Sequence, residues 1–139
     1  MTWLGWAALS AVFAALTAVF AKIGLGGVGS DFATFVRVLV IGALTAAILT
    51  WTHGWTPPGA VPLRAWVFLV LSGLATGASW LCYFRALQLG DAARVAPIDK
   101  LSVVLVAVLG VAFLGERLSA THWAGVALIA AGAILVARA

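Results

Sequence analysis

Long apolar runs alternate along the chain with short breaks rich in glycine, proline or charge. Five runs stand out, over residues 3–21, 34–51, 65–89, 95–114 and 121–137. Each approaches the roughly 20 apolar residues that a helix needs to cross a hydrocarbon layer about 30 Å thick. None shows the two-residue alternation of a barrel strand, and lipid gives irregular backbone no hydrogen-bond partner. The pattern predicts five transmembrane helices. The breaks explain where each run stops. Residues 24–31 (GLGGVGSD) form a glycine-rich turn. Residues 53–59 (HGWTPPG) cannot continue a helix, because proline lacks an N–H and clashes with the preceding turn. Gly90 and Asp91 read as a tight hairpin, and Gly115, Glu116 and Arg117 as the last break. No loop is long enough for a soluble domain, so residues 1–139 read as one all-α membrane domain. The first run is expected to be retained. Met1, Thr2 and Trp3 provide no basic start, and the run is too long for the apolar core of a signal peptide.

Composition narrows the class further. The chain is 65% hydrophobic and 9% charged, against about 45–50% apolar and roughly 25% charged for ordinary soluble domains. A soluble globular domain, a disordered tail and a coiled coil are excluded. The balance is basic, with 8 Lys+Arg against 4 Asp+Glu. These cations are scattered singly rather than arrayed in a stripe, so nucleic acid is not an expected partner. Cys82 is the only cysteine and cannot form an intrachain disulfide or a cysteine-based zinc site.

Known chemical signatures fail in context. Gly24, Gly26 and Gly29 spell a dinucleotide fingerprint, but they follow a membrane helix and no βαβ unit is possible. No phosphate-binding GxxxxGK[ST] loop occurs. His53 and His122 lack the paired spacing of a metal site. Neither enzyme chemistry, nor a cofactor, nor a metal is expected.

Five spans place the chain ends on opposite sides of the bilayer. Outside the spans, Lys22, Arg94 and Arg138 fall on the side away from the N-terminus, and Arg64 and Arg117 on the N-terminal side. That bias is too small to fix an orientation. Arg37, Arg85 and Lys100 lie within spans near the first of these sides, and counting them makes it cytoplasmic. Trp3, Trp6, Trp51, Trp55, Trp66 and Trp123 gather near the N-terminal side, as an interfacial aromatic belt does. Trp80 is mid-span.

The spans also carry polar stripes. Ser72, Thr76, Ser79 and Tyr83 share one helix face, flanked by Trp80 and Phe84. Trp3, Trp6, Ser10, Phe13, Thr17 and Phe20 form a second stripe. Such stripes have two readings, helix–helix adhesion or the lining of a polar pathway. Gly73 and Gly77 favour close helix approach under the first reading. Ionisable residues in a span default to functional candidates. Here they are Arg37, Arg85, Asp99 and Lys100. Arg85 and Asp99 fall at similar depth about Ala92 and are candidates for pairing. Arg37 and Arg85 also have a plainer reading, reaching to lipid headgroups. Asp99, a short carboxylate that reaches the surface poorly, is the leading functional candidate, with Ser102 on the same face. Pro97 is expected to open or kink the fourth helix.

Several segments together carry a resemblance. They are Tyr83-Phe84-Arg85-Ala86-Leu87, Ala96-Pro97-Ile98, Phe113-Leu114-Gly115-Glu116-Arg117-Leu118, and Trp123-Ala124-Gly125 leading to Gly132. In order and spacing they resemble one EamA domain of the drug/metabolite transporter superfamily. The likeness covers the whole chain in span count and runs motif by motif from about Trp80 onward. It implies a five-helix bundle equivalent to one half of a ten-helix inverted-repeat transporter. It also implies a central cavity lined by helices one, three and four of each half. The chain departs from the common pattern in having one domain, and in placing Asp99-Lys100-Leu101-Ser102 where many relatives are apolar.

The expected function is secondary-active export of a small polar or amphipathic metabolite, by alternating access in a dimer. An antiparallel homodimer in a prokaryotic inner membrane is favoured. Expected substrate contacts are Trp6, Ser10, Ser79, Trp80, Tyr83, Asp99, Lys100 and Ser102. Arg37, Arg85 and Asp99 are the ion-pair or coupling group. The alternative is a non-transporting membrane subunit that stabilises or regulates a partner. A weaker reading, an intramembrane enzyme or lipid flippase, would need a bilayer-facing groove near Arg37 and Arg85.

Overall fold

A computed structural model describes residues 2–138. The helices are α1 (Trp3–Gly24), α2 (Ser30–Trp51), α3 (Leu63–Leu89), α4 (Ala92–Asp99), α5 (Ser102–Leu114) and α6 (Ala120–Arg138). A short 3-10 turn, Pro58–Ala60, lies between α2 and α3. No strand occurs among the described residues. With α4 and α5 taken as one interrupted span, five segments are long and apolar enough to cross a membrane. The expected all-α, five-span architecture is therefore present. Large apolar side chains such as Leu89, Trp51 and Leu105 point outward, the arrangement that lipid rather than water rewards.

The helix ends differ from the sequence reading by a few residues. α1 runs on to Gly24, and α2 begins at Ser30 rather than near 34. Asp31 consequently lies in the first turn of α2, not in the turn before it. A carboxylate there complements the positive end of the helix dipole. The intervening turn is tight. The Val28 N–H bonds the Leu25 carbonyl at 3.3 Å, and Gly27 has φ +80°, a value that side-chain-bearing residues rarely adopt.

The chain forms two compact units. Residues 21–88 make one, and residues 2–20 with 89–138 make the other. In the first, Ala21, Leu25, Phe84 and Leu87 are buried, together with Ser30 and Thr34. The hydroxyl of Thr34 donates to the Ser30 carbonyl at 2.8 Å, so this buried polar group is satisfied locally. At the far end of α2, the Trp55 indole donates to the Thr50 hydroxyl at 3.1 Å, and the Trp66 indole to the Pro58 carbonyl at 3.3 Å. Both suit an amphipathic ring at a membrane interface.

In the second unit, α4 and α5 each pack on α6. The fourth span breaks at Lys100 and Leu101, just after Pro97. Proline has no N–H to give the carbonyl one turn back. The chain responds by tightening. Lys100 N–H reaches Pro97 O at 3.1 Å, Leu101 N–H reaches Ile98 O at 3.0 Å, and Val103 N–H reaches Lys100 O at 3.0 Å. These three-residue steps mark a local 3-10 turn. α5 ends at Gly115, whose φ of +70° is left-handed. The Glu116 N–H then reaches back to the Gly110 carbonyl at 3.1 Å. The Glu116 carboxylate lies so close over Gly110 that a Cβ there would meet Oε2 at 2.5 Å.

Candidate functional site

The polar groups of residues 21–88 concentrate where α1 ends, α2 begins and α3 ends. Lys22 Nζ donates to the Leu87 carbonyl at 2.7 Å. This supplies a cation and a donor to the C-terminal end of α3, where carbonyls lack helical partners. Gln88 Nε2 donates to the Val28 carbonyl at 2.8 Å. A small cavity of about 330 Å³ sits here, lined by Lys22, Leu25, Gly26, Leu87 and Gln88.

Arg85 forms a two-pronged pair with Asp31. Its Nε lies 3.3 Å from Oδ1 and its terminal nitrogen 2.9 Å from Oδ2. The Ser30 hydroxyl also donates to Asp31 Oδ1, at 3.2 Å. The fork of a guanidinium matches a carboxylate in this way, which fixes geometry as well as charge. The carboxylate that Arg85 meets is thus the one at the start of α2. Sequence spacing alone gave no reason to choose it over Asp99.

Arg37 is held differently. Its guanidinium carbon is 4.9 Å from the Trp80 ring centre and 4.7 Å from that of Phe84. Trp80 and Phe84 are one turn apart on the same face of α3, so the two rings form a continuous platform. Both contacts fall within the range of a cation–π interaction. Tyr83 stands edge-on to Phe84, ring centres 6.4 Å apart, within electrostatic reach of Arg37. Among the described residues no carboxylate pairs with Arg37. Phe84 is 1% exposed. In the sequence it is a flank of the Ser72–Tyr83 stripe, and its four-residue offset from Trp80 is the signal for a shared face.

The remaining candidates are more dispersed. Ser79 is exposed on α3, and the Thr76 hydroxyl is taken up by the Ser72 carbonyl at 2.8 Å. In the other unit, Trp6 and Ser10 are exposed on α1. Asp99 ends α4 and pairs with its neighbour Lys100 at 3.3 Å. Ser102 starts α5 and is exposed. Asp99 and Ser102 therefore bracket the break in the fourth span, and Lys100 lies within it.

Comparison with known proteins accounts for this architecture. The model of the EamA-like transporter family matches residues 1–138. A Sinorhizobium sp. protein named "Uncharacterized transporter in cobO 3'region" is 63% identical over 136 residues, covering 98% of this chain and 96% of the relative. No solved structure gives a significant match. With five apolar spans and a family match over nearly its full length, the chain belongs to the EamA-like transporter family and is a multi-pass membrane transporter.

Proposed function

We propose that the chain is a secondary-active exporter of a small polar or amphipathic metabolite, working by alternating access as an antiparallel pair. The observation that supports this is the span count. Five helices are long and apolar enough to cross a membrane, half of the ten that the resemblance implies for a complete transporter. An odd number leaves the two ends of the span set on opposite sides. A second copy inserted upside down then completes an inverted ten-helix arrangement, whose halves can rock about a midplane site. The even spread of loop cations is compatible with both insertions.

In this reading Ser79, Trp80 and Tyr83 of α3 contact substrate. Trp6, Ser10, Lys100 and Ser102 are further contacts in the same reading. Asp99 is the coupling carboxylate. It sits at a helix break, where backbone irregularity is tolerated in a membrane only if it is buried in protein or lines a cavity. The relative's bacterial source supports a prokaryotic inner membrane.

Two measurements test the reading. In proteoliposomes, Asp99→Asn is expected to abolish the pH dependence of flux. Flux that stays pH-dependent removes Asp99 from the mechanism. In cells, single cysteines introduced near either end of the Cys82→Ser protein are expected to label from both faces of the membrane. Labelling of each from one face only excludes the antiparallel pair.

A further inference from the structure

The geometry of Arg37 points to a binding site for an oxyanion, a carboxylate or phosphate carried by the transported molecule. The inference rests on the transport reading for the source of that anion. The site itself rests on the contacts of α2 and α3.

An arginine inside a span must be compensated. Arg85 is paired with a carboxylate, since Asp31 takes its fork at 2.9 and 3.3 Å. Arg37 receives the faces of Trp80 and Phe84, with Tyr83 within electrostatic reach. Those faces stabilise its positive charge. They do not accept the N–H groups in the plane of the guanidinium, which has five donors. Among the described residues, no carboxylate or carbonyl oxygen accepts from them. A two-oxygen anion fits those donors, because a guanidinium recognises one through paired hydrogen bonds.

Depth argues against a side chain simply reaching for the bilayer surface. Arg37 is seven residues from the start of α2, roughly 10 Å along its axis at 1.5 Å per residue. Phe84 and Trp80 are five and nine residues from the end of α3, or roughly 7 to 13 Å by the same rise. Arg37 therefore lies level with its own backbone instead of extending outward. Its platform is firm, since Phe84 is buried and Trp80 half-buried.

The test is a calorimetric titration of the full chain in phosphatidylcholine nanodiscs, with acetate and with inorganic phosphate as probes. Saturable binding of at least one probe is expected. Arg37→Gln should weaken it about tenfold or more, and Arg37→Lys by less, since an ammonium keeps the charge but loses the fork. Arg64→Gln removes a cation at the opposite end of α3 from Phe84 and should leave binding unchanged. Absence of saturable binding in the unaltered protein overturns the site, as does equal binding by a folded Arg37→Gln. A parallel series uses nanodiscs doped with phosphatidylglycerol. If that lipid abolishes probe binding, the anion is a headgroup phosphate and the assignment to the transported molecule falls. If probe binding survives the lipid, the assignment holds. Because binding is read without flux, a protein that binds anion but moves nothing keeps the site and loses the transport reading.

Discussion

The two charge pairs within the spans are built from different materials. Asp31 and Arg85 are 54 residues apart and join the start of α2 to the end of α3 through two hydrogen bonds. Asp99 and Lys100 are neighbours in sequence, paired at 3.3 Å beside a break in the fourth span. The first pair constrains the register of two helices. The second constrains little, because chain neighbours are already close. The same contrast runs through their surroundings. Around Asp31 and Arg85, side chains from distant segments meet: Lys22 with Leu87, Gln88 with Val28, and Arg37 with Trp80 and Phe84. Around Asp99 the bonds are short-range backbone steps enforced by Pro97 and, further on, by Gly115. A region held by long-range side chains is suited to a fixed platform. A region shaped by local backbone keeps its side chains available for other partners.

The sharpest challenge to this contrast is Phe84→Ala. Deleting a buried ring ordinarily costs about 3 kcal/mol or more, and here it also removes half the support of Arg37. A large drop in the unfolding midpoint of the purified protein is expected. A negligible drop would mean that the platform holds nothing in place. Gly115→Val comes next, with an expected cost of about 1–2 kcal/mol for a side chain forced into left-handed backbone. Its effect should be confined to stability and leave anion binding by the other unit intact. Arg37→Gln should cost about 1 kcal/mol of stability, the scale of a cation–π contact, and should lose oxyanion binding.

The smallest effects are the most discriminating. In double-mutant cycles of Asp31→Asn with Arg85→Gln, a measurable coupling in stability is expected. The corresponding cycle of Asp99→Asn with Lys100→Gln should show none. Equal coupling in both cycles would erase the distinction between a tertiary tie and a neighbour contact.

Much of the fold could be read from the chain. Proline at 57, 58 and 97 and the glycine-rich stretch at 24–29 interrupt helices for backbone reasons that need no tertiary information. The interruption after Pro97 appears where expected. The sequence pattern puts the start of α2 a turn late, because Ser30 and Asp31 look like turn residues and are equally good first residues of a helix. That shift hid Asp31 as a partner for Arg85. Trp80 and Tyr83 stood out as mid-span aromatics, and Arg37 as a charge in lipid. Their meeting did not stand out, because periodicity gives a residue's face on its own helix and not the neighbour that the face meets.

The sequence by itself determined that the chain is a membrane protein of five spans, and its motifs pointed to the family. Apolar runs of span length have no other stable state in lipid, whatever their neighbours do. Only the tertiary structure decided how the in-span charges are used. Asp31 pairs with Arg85, while Arg37 lies on the faces of Trp80 and Phe84. Those choices depend on which segments, more than forty residues apart, come within a few ångströms. Sequence spacing along a single helix does not contain that distance.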